Sequence, residues 1–249
     1  MLIRMEGGFP DGYSRVTSAG GLEFGLLRLE PGAEYRDSSA LERVFLLLGG
    51  EADLSWNAGT ARVKRSSLLE EPPSVLHLPA GCRVHLVGVE PGTEFSVHRV
   101  ANDRAFAARL IGPREVVQTR LAPAKLGHTA ERLLRSAIDD AGAPHSNLTL
   151  GEVLNPAGCW SSYPPHHHPH PEIYHYRFVP EGGFGYSEEG GQVYKVRHRD
   201  TVSLAPGMVH PQVAAPGYAM VYIWAMPHLP GNRFGDGSRR FEEEHAWLA

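Results

Sequence analysis

The stretch Ser161-Ser-Tyr-Pro-Pro-His-His-His-Pro-His-Pro-Glu-Ile-Tyr-His-Tyr-Arg-Phe178 places four histidines and one glutamate within the seven residues 166–172. A strand-like run, 173–179, follows directly, and the later turn 205–210 ends in one more histidine. Three imidazoles and one carboxylate are a suitable ligand set for a divalent transition metal. The prolines on both sides hold the local backbone extended. The sequence therefore predicts a protein built around a metal site.

The spacing of the histidines suggests which of them bind the metal. Residues i and i+2 of a strand share a face, so His166 and His168 point to the same side. His170 has the same parity, but the prolines at 169 and 171 favour a turn there. One divalent ion is expected, and zinc, manganese, iron, cobalt and nickel all suit these donors. The predicted ligands are His166, His168, Glu172 and His210, with His170 as the alternative.

Composition narrows the class of protein. The 249-residue chain has a net charge of −4 and is 42% hydrophobic, as expected for a globular protein with a sizeable core. It has no basic block that would suit nucleic acid, and no run of the roughly 18 apolar residues that a membrane span needs. Cys82 and Cys159 are too few for a disulfide scaffold. No signal-peptide pattern is present, so the expected location is the cytoplasm.

Glycine and proline are dispersed between short apolar runs, which is typical of many short strands joined by tight turns. Strand candidates recur roughly every ten residues in both halves of the chain, which favours a sandwich or barrel. The predicted strands of the first half are Leu22–Leu29, Arg43–Leu48, Glu51–Trp56, Val75–Leu78, Val84–Val89 and Glu94–Val100. Those of the second half are Asn147–Leu154, Glu172–Val179, Gln192–Arg197, Thr201–Leu204, Gln212–Ala214 and Tyr218–Met226.

The two halves also resemble each other. The run Glu42-Arg-Val-Phe and the turn Leu78-Pro-Ala-Gly recur, in the same order, as Glu172-Ile-Tyr-His and Leu204-Ala-Pro-Gly. A repeat of about a hundred residues predicts two copies of one β-domain. The predicted domains are residues 1–101 and 145–249, joined by a linker over residues 102–144.

The linker contains the best helix candidate of the chain, Thr129–Ile138. Thr129 suits the N-cap position, and Gly142 follows the expected C-terminal end. The linker is therefore predicted to be short and helical, and its apolar residues are expected to pack on the two β-domains. The tail Arg239–Trp247 predicts a surface helix that docks through Phe241 and Trp247.

Two successive β-domains with an H-x-H…E…H set in one of them resemble a bicupin. This resemblance implies an all-β fold of two tandem, jelly-roll-like β-barrels, with the metal ligands pointing into the mouth of one barrel. The first half has no histidine in Arg36-Asp-Ser-Ser-Ala, before Glu42, and both His77 and His85 lack partner ligands. The N-terminal barrel is therefore expected to be a metal-free copy.

The run Leu148-Thr-Leu-Gly-Glu-Val-Leu-Asn-Pro-Ala-Gly-Cys-Trp-Ser-Ser-Tyr-Pro-Pro-His166, the strand that begins at Glu172 and the ending Glu244-His-Ala-Trp resemble a known family. They are similar to the 5-deoxyglucuronate isomerases of bacterial inositol catabolism, which are related to the ketol-isomerase acting on 4-deoxy-5-hexosulose-uronate. The resemblance implies a metal-dependent aldose–ketose isomerase that converts 5-deoxy-D-glucuronate to 5-dehydro-2-deoxy-D-gluconate. The implied steps are proton abstraction alpha to the carbonyl and a metal-stabilised enediolate.

Such a reaction needs a base that moves a proton between adjacent carbons, and a cation that binds the substrate carboxylate. Tyr174 and Tyr176 share the parity of Glu172 and would face the pocket if the strand is regular. The base candidates are Tyr174, Tyr176 and His175. The candidates for the carboxylate clamp are Arg177, Lys195 and Arg199.

Two other functions fit the same residues. A cupin dioxygenase would use a 3-His/1-Glu iron site to activate oxygen, because ligand identity alone does not separate Lewis-acid from redox use. A sugar-binding cupin without catalysis would use the same fold. The expected partners are a small uronate and, through edge strands, a second copy of the chain. Neither nucleic acid nor a membrane is expected.

Overall fold

The computed structural model describes residues 1–5, 8–122, 124–235 and 237–248, and strands dominate these ranges. The first strands are β1 Leu2–Ile3, β2 Gly12–Ala19, β3 Leu22–Leu29, β4 Glu34–Asp37, β5 Glu42–Trp56, β6 Gly59–Arg65, β7 Val75–Leu78, β8 Val84–Gly88, β9 Thr93–Val100, β10 Arg109–Ile111 and β11 Val117–Leu121. The others are β12 Arg132–Ile138, β13 Leu148–Asn155, β14 Trp160–Ser161, β15 His166–His167, β16 Glu172–Val179, β17 Phe184–Glu189, β18 Gln192–Arg197, β19 Thr201–Leu204, β20 Gln212–Ala214, β21 Ala219–Pro227 and β22 Arg240–Phe241. Two short 3-10 helices span Lys125–His128 and Glu243–Leu248. No helix in the described ranges is long and apolar enough to cross a membrane.

Two large sheets lie against each other at the centre of the molecule. One contains β10-β7-β5-β9-β3-β2, and the other contains β1-β19-β16-β21-β13-β12-β11. Alternate residues of β5 serve different cores: Val44 and Leu46 pack between the two sheets, whereas Phe45 packs inside the N-terminal half. Because both faces of β5 are buried in its first half, residues 44–48 are continuously apolar.

Each half has a second, outer layer. In the N-terminal half the layer is formed by β4, β6, β8 and the end of β5, and in the C-terminal half by β14-β20-β17-β18. The all-β, cupin-like prediction is confirmed. Within the described ranges each half is a pair of packed sheets, not a closed barrel, because the β-ladders leave edge strands such as β2 and β11.

The middle segment of the chain belongs to the sheets. β10 pairs with β7 of the N-terminal half, whereas β11 and β12 extend the C-terminal sheet beyond β13. The first strand, β1, crosses over to pair with β19. The predicted linker therefore supplies strands to the sheets of both halves: β10 to the N-terminal sheet, and β11 and β12 to the C-terminal sheet.

The helix predicted over 129–138 is wrong, because residues 132–138 form β12. This strand pairs with β11 on one side and β13 on the other. In β12 the side chain of Arg135 is buried and donates to Glu152 on β13 at 2.7 Å. Strand pairing and this buried contact override a helix propensity that is only a weak preference.

The two strands predicted over Arg43–Leu48 and Glu51–Trp56 are instead one 15-residue strand, β5, with a bulge at Gly49-Gly50. The pairing with β9 shifts register between Leu47 and Gly49, and the strand then passes from the central sheet into the outer layer. Gly50 has a φ of +86°, and a Cβ atom there would lie 2.5 Å from Thr93 Cα. Only glycine fits this crossing without strain.

Candidate metal centre

Short, proline-interrupted pieces of chain deliver the histidines to one end of the C-terminal half. His166 begins β15, which has only two residues and pairs with β22 near the C-terminus. His168 lies in the turn that follows, and Glu172 begins the long strand β16. His210 comes six residues after Leu204, just before β20. Sequence positions far apart thus meet at one edge of the core.

Three of the predicted ligands form a compact group. The candidate donor atoms of His168, Glu172 and His210 all lie within 4.8 Å of one another. Glu172 Oε2 is 3.3 Å from His168 Nε2 and 3.6 Å from His210 Nε2. The His166 ring lies 5.0 Å from the His210 ring, centre to centre. All four side chains are buried, with 2–7% of their surface exposed.

The backbone fixes the tautomer of the three imidazoles. The Nδ1 atoms of His166, His168 and His210 lie 2.9, 3.0 and 2.7 Å from backbone carbonyl oxygens. A carbonyl only accepts, so each Nδ1 carries the proton and each Nε2 presents a lone pair. Orienting a ligand histidine through its other nitrogen is the usual arrangement at metal sites. The accepting carbonyls belong to Pro164, His170 and Met208, respectively.

The charge states also suit a cation. Burial lowers the pKa of His166 to about 3, and the nearby charges of His210 and Arg239 act in the same direction. Burial likewise lowers the pKa of His210. Burial alone would raise the pKa of Glu172, but His168, His210 and Tyr174 together outweigh burial and leave that pKa below its ordinary value. Neutral imidazoles and a carboxylate are the forms that coordinate metals.

One buried oxygen of this group has no hydrogen-bond donor among the residues that the structure describes. Glu172 Oε2 is shielded from solvent and faces the bare Nε2 lone pairs of His168 and His210. A buried, ionised oxygen without a donor is costly unless a cation satisfies it. The donors present therefore fit a divalent metal, with Glu172, His168 and His210 at the centre and His166 beside them.

His170, the alternative ligand, lies outside this group. Its Nε2 donates to the carbonyl of Asn232 at 2.8 Å, and its ring packs edge-on against Phe234. The turn predicted from Pro169 and Pro171 accounts for this placement, because it turns the imidazole away from the other histidines.

The base candidates divide between the two faces of β16. Tyr174 and Tyr176 face the interior as their parity predicts, and the Tyr174 ring lies 6.1 Å from that of His210. His175 lies on the opposite face, where its Nδ1 is 2.9 Å from Thr201 Oγ1 and its ring packs against Phe24 of the other sheet. His175 as the base is therefore wrong, since the backbone of β16 separates it from the metal ligands.

Tyr174 and Tyr176 keep their hydroxyl protons at neutral pH and can therefore donate hydrogen bonds. Burial raises the pKa of Tyr174 and of Tyr176 well above the ordinary value. The Tyr174 hydroxyl lies 3.2 Å from Ser162 Oγ, whereas the Tyr176 hydroxyl donates to Ser187 farther along the strand. Tyr174 is thus the member of the pair that faces the histidines.

The predicted carboxylate clamp lies elsewhere. Arg177 is buried between the two central sheets and pairs with Glu94 at 2.9 Å, and Arg199 approaches the same carboxylate at 3.6 Å. Lys195 lies over the ring of Phe184 in the outer layer. Since Arg177 follows the parity of His175, its strand position already directs it away from the pocket.

Two arginines outside the predicted clamp, Arg132 and Arg239, belong to the same half as the histidines, and the charge of Arg239 acts on His166 and His210. Arg132 is mostly buried; it donates to the backbone carbonyl of Tyr163 at 3.1 Å, and its charge acts on Tyr222 and Tyr174. Arg239 lies 5.8 Å from the Phe234 ring, and its charge contributes to the low pKa of His166. The basic run that begins at Arg239 was the available signal.

The C-terminal segment lies over the candidate metal centre as a strap, which we define as residues 234–235 and 237–248. The rings of Phe241 and Phe234 pack edge-on against His166 and His168 at 5.9 and 5.3 Å. His167 Nδ1 lies 2.8 Å from Glu242 Oε1. The segment docks through Phe241 as predicted, but Trp247 is 79% exposed and does not dock.

In the N-terminal half an arginine occupies the strand position of Glu172. Arg43 lies opposite Leu78 in the β5–β7 ladder, as Glu172 lies opposite Leu204 in the β16–β19 ladder. The Arg43 guanidinium is fully buried, 3.3 Å from Asp37 Oδ1. The positively charged side chain of Arg43 therefore occupies, in the N-terminal half, the position that Glu172 occupies beside the candidate metal ligands of the C-terminal half.

This register corrects the predicted alignment by one residue. The sequence repeat matched Glu42 with Glu172, but a one-residue shift in a strand places a side chain on the opposite face. Glu42 faces the other sheet, where its carboxylate lies 2.7 Å from both His77 Nε2 and Asn102 Nδ2.

Comparison with known proteins places the chain in a family. A model of the KduI/IolB family matches residues 13–248. The 5-deoxy-glucuronate isomerase of Geobacillus kaustophilus (strain HTA426) is 30% identical over 213 residues, which cover 77% of this chain and 73% of that protein.

Solved structures agree on the fold. An IolB-like protein from Salmonella typhimurium LT2 superimposes with a TM-score of 0.86 at 23% identity, covering 96% of both chains. A cupin 2 conserved barrel domain protein from Leptotrichia buccalis superimposes with a TM-score of 0.55 at 12% identity, covering 86% of this chain and 88% of its own. With this cupin-like architecture and a family match that spans almost its whole length, the chain belongs to the KduI/IolB family.

Proposed function

We propose that this chain is an aldose–ketose isomerase that converts 5-deoxy-D-glucuronate to 5-dehydro-2-deoxy-D-gluconate. One observation supports the proposal most strongly. The buried Oε2 atom of Glu172 has no hydrogen-bond donor among the described residues, and it lies beside His168 and His210, whose Nδ1 protons are held by backbone carbonyls. The substrate is suggested by a curated relative named 5-deoxy-glucuronate isomerase. One divalent metal ion would be held by His166, His168, Glu172 and His210.

The reaction moves hydrogen within one molecule. A proton leaves the carbon next to the aldehyde and is returned to the former aldehyde carbon, while a hydroxyl proton passes from one oxygen to its neighbour. The aldehyde thus becomes a primary alcohol and the neighbouring carbon becomes a ketone, with no net oxidation. When bound, the metal supplies a Lewis acid that favours negative charge on the substrate oxygens.

Tyr174 is proposed to serve the oxygen side of this transfer. Its hydroxyl keeps its proton because burial raises the pKa, so it donates to an oxygen more readily than it removes a proton from carbon. Ser162, 3.2 Å away, holds the hydroxyl in place. The neighbouring pair Ser161 and Tyr222, 2.6 Å apart, closes the same wall against water.

The substrate carboxylate is proposed to bind Arg132 and Arg239. Among the described residues neither guanidinium forms an ion pair, in contrast to Arg177 and Arg199, which share Glu94. Arg132 is partly buried and Arg239 is exposed. A guanidinium without a carboxylate partner can bind a substrate carboxylate through two parallel hydrogen bonds. The free thiols Cys82 and Cys159 are buried, which suits the proposed cytoplasmic location.

The test is turnover of 5-deoxy-D-glucuronate by metal-loaded protein in heavy water, with oxygen excluded, followed by NMR. The expected result is loss of the aldehyde signal and appearance of deuterium at the new alcohol carbon. Arg239→Gln is expected to raise KM more than it lowers kcat. Consumption of oxygen, or unchanged substrate in the presence of confirmed bound metal, would reject the proposal.

A further inference from the structure

The N-terminal half has its own cleft. It has a volume of about 620 Å³, within the range of small-molecule sites. Val84, which lines it, comes six residues after Leu78, as His210 comes six residues after Leu204. The wall of the cleft also contains Asp37, which pairs with Arg43, so the cleft lies beside the position that corresponds to the candidate metal centre of the other half.

The charge around the cleft is positive. Arg83 lines it, is exposed, and forms no ion pair among the described residues, while its own backbone N–H donates to Asn57 Oδ1 at 3.2 Å. Arg36 is also at the wall, and Glu34, which lies 2.8 Å from Arg36 and 3.1 Å from His85, offsets part of its charge. An anion entering the cleft would meet both guanidiniums.

The one acidic side chain that lines the cleft is already neutralised. Asp37 lies 3.3 Å from the guanidinium of Arg43 and 3.1 Å from that of Arg99, and Tyr35 donates to it at 3.2 Å. Its negative charge is therefore directed inward. It does not cancel the charge of Arg83 and Arg36.

The rest of the wall is polar and aromatic. Ser39 Oγ and Trp56 Nε1 have no hydrogen-bond partner among the described residues. Trp56 ends β5, and its ring packs over the glycine that begins β6. Hydroxyl, amide and indole groups beside a guanidinium are the groups that bind the hydroxyls and carboxylate of a sugar acid. The remaining lining residues are Ser38, Ser55, Asn57 and His85.

We propose that this cleft is a second ligand site, which binds a small polyhydroxylated carboxylate through Arg83, Arg36 and the polar wall around Trp56. Arg43 replaces the metal donors below it, so the site binds its ligand through guanidinium groups. The proposal does not depend on the isomerase reaction, because it concerns the other half of the chain.

The test uses D-glucuronate as the probe and full-length, metal-free protein carrying Glu172→Gln, so that the metal centre does not contribute. Calorimetry and saturation-transfer NMR would measure binding. The expected result is one saturable site, with binding weakened about tenfold or more by Arg83→Gln, which removes a charge-assisted hydrogen bond. Trp56→Phe is expected to reduce the saturation transfer to the sugar protons.

Arg15→Gln is the matched control, since Arg15 is an exposed arginine on β2, outside the cleft, and should leave binding unchanged. Absence of saturable glucuronate binding would overturn the proposal. Equal affinity for wild-type and Arg83→Gln protein would also overturn it, as would displacement of glucuronate by an equimolar amount of inorganic phosphate.

Discussion

Arg43 and Glu172 face the interiors of the two halves from matching strand positions, yet they attract opposite partners. Arg43 is paired with Asp37, and its Nη2 donates to the carbonyls of Pro79 and Cys82. The carboxylate of Glu172 instead faces the Nε2 lone pairs of His168 and His210. The two halves thus place opposite charges at this position of the fold, and only the half with Glu172 also has the histidines His168 and His210 beside it.

Arg43 is therefore expected to be important for stability. Arg43→Met keeps most of the buried volume but removes the guanidinium that donates to the carbonyls of Leu41, Pro79 and Cys82 and leaves Asp37 with one guanidinium fewer, which should cost about 3 kcal/mol. Urea unfolding would measure it. Arg62→Met, which removes an exposed pair with Asp53, is the control and should not shift the transition. Equal midpoints for both variants would contradict the role assigned to Arg43.

His98 provides a pH test at the same scale. It is buried against Phe24, and burial lowers its pKa from 6.5 to about 3. The unfolded chain therefore binds this proton more readily than the folded protein between these two values, so stability falls as the pH is lowered from 6.5. His98→Gln should reduce this slope by up to about 1.4 kcal/mol per pH unit. Identical slopes in acid unfolding of wild-type and variant protein would contradict the account.

At the scale of elements, only a short strand pair connects the strap to the rest of the C-terminal half in the described residues. β15 and β22 contain two residues each, and the backbone N–H of Glu242 donates to Pro165. Such a short ladder opens at low cost, because few buried contacts hold it. Since the four predicted ligands are almost fully buried, we expect the strap to move when a substrate reaches them.

Removal of residues 240–249 is accordingly expected to leave the metal ligands in place but to impair the enclosure of substrate. Metal content measured by mass spectrometry should stay near one per chain, whereas kcat/KM should fall about 100-fold, as for other losses of positioning. Trp247→Ala, at an exposed position of the same segment, is the control and should retain activity. Full activity of the truncated protein would show that the strap is dispensable.

At the scale of the whole molecule, buried polar contacts join the two halves. Arg65 and Arg135 enclose the carboxylate of Glu152 at 2.6 and 2.7 Å, with all three side chains almost completely buried. Arg177 and Glu94 form a second link. The apolar core between the sheets has no directional preference, so these contacts fix how the halves sit on each other.

Glu152→Gln should therefore destabilise the entire protein. It leaves two buried guanidiniums without a counter-charge, with an expected cost of about 3–5 kcal/mol. Calorimetry should show one transition shifted to lower temperature, because the halves unfold together. Glu115→Gln, at an exposed pair with Arg109, is the control. A second, separate transition in the Glu152 variant would contradict coupled unfolding.

Much of the fold was predictable where one strand carries one clear pattern. β3, β7, β16, β18, β19 and β20 match their predicted bounds, since apolar runs between turn residues mark them. Residues 132–138 and Gly49-Gly50 were not predictable, because their structure depends on neighbours distant in sequence. Arg135 needs Glu152, and Gly50 needs the close approach of Thr93.

In the candidate site, too, the sequence predicted what depends on local strand alternation and missed what depends on residues distant in sequence. The parity of β16 correctly predicted that Tyr174 faces inward, because strand alternation is a local property. The roles predicted for His175 and Arg177 failed, since the residues that receive them, Phe24 and Glu94, belong to the other half. No spacing within β16 indicates that its second face is covered by another sheet.

The most direct test of the account is the isomerase activity of chelated protein on 5-deoxy-D-glucuronate before and after one equivalent of divalent metal is restored, in wild-type and Glu172→Gln protein. The account predicts that chelation abolishes turnover and that added metal restores it in the wild type, whereas the variant binds metal weakly and stays inactive. Full turnover by the chelated protein, or by the metal-free Glu172→Gln variant, would contradict it.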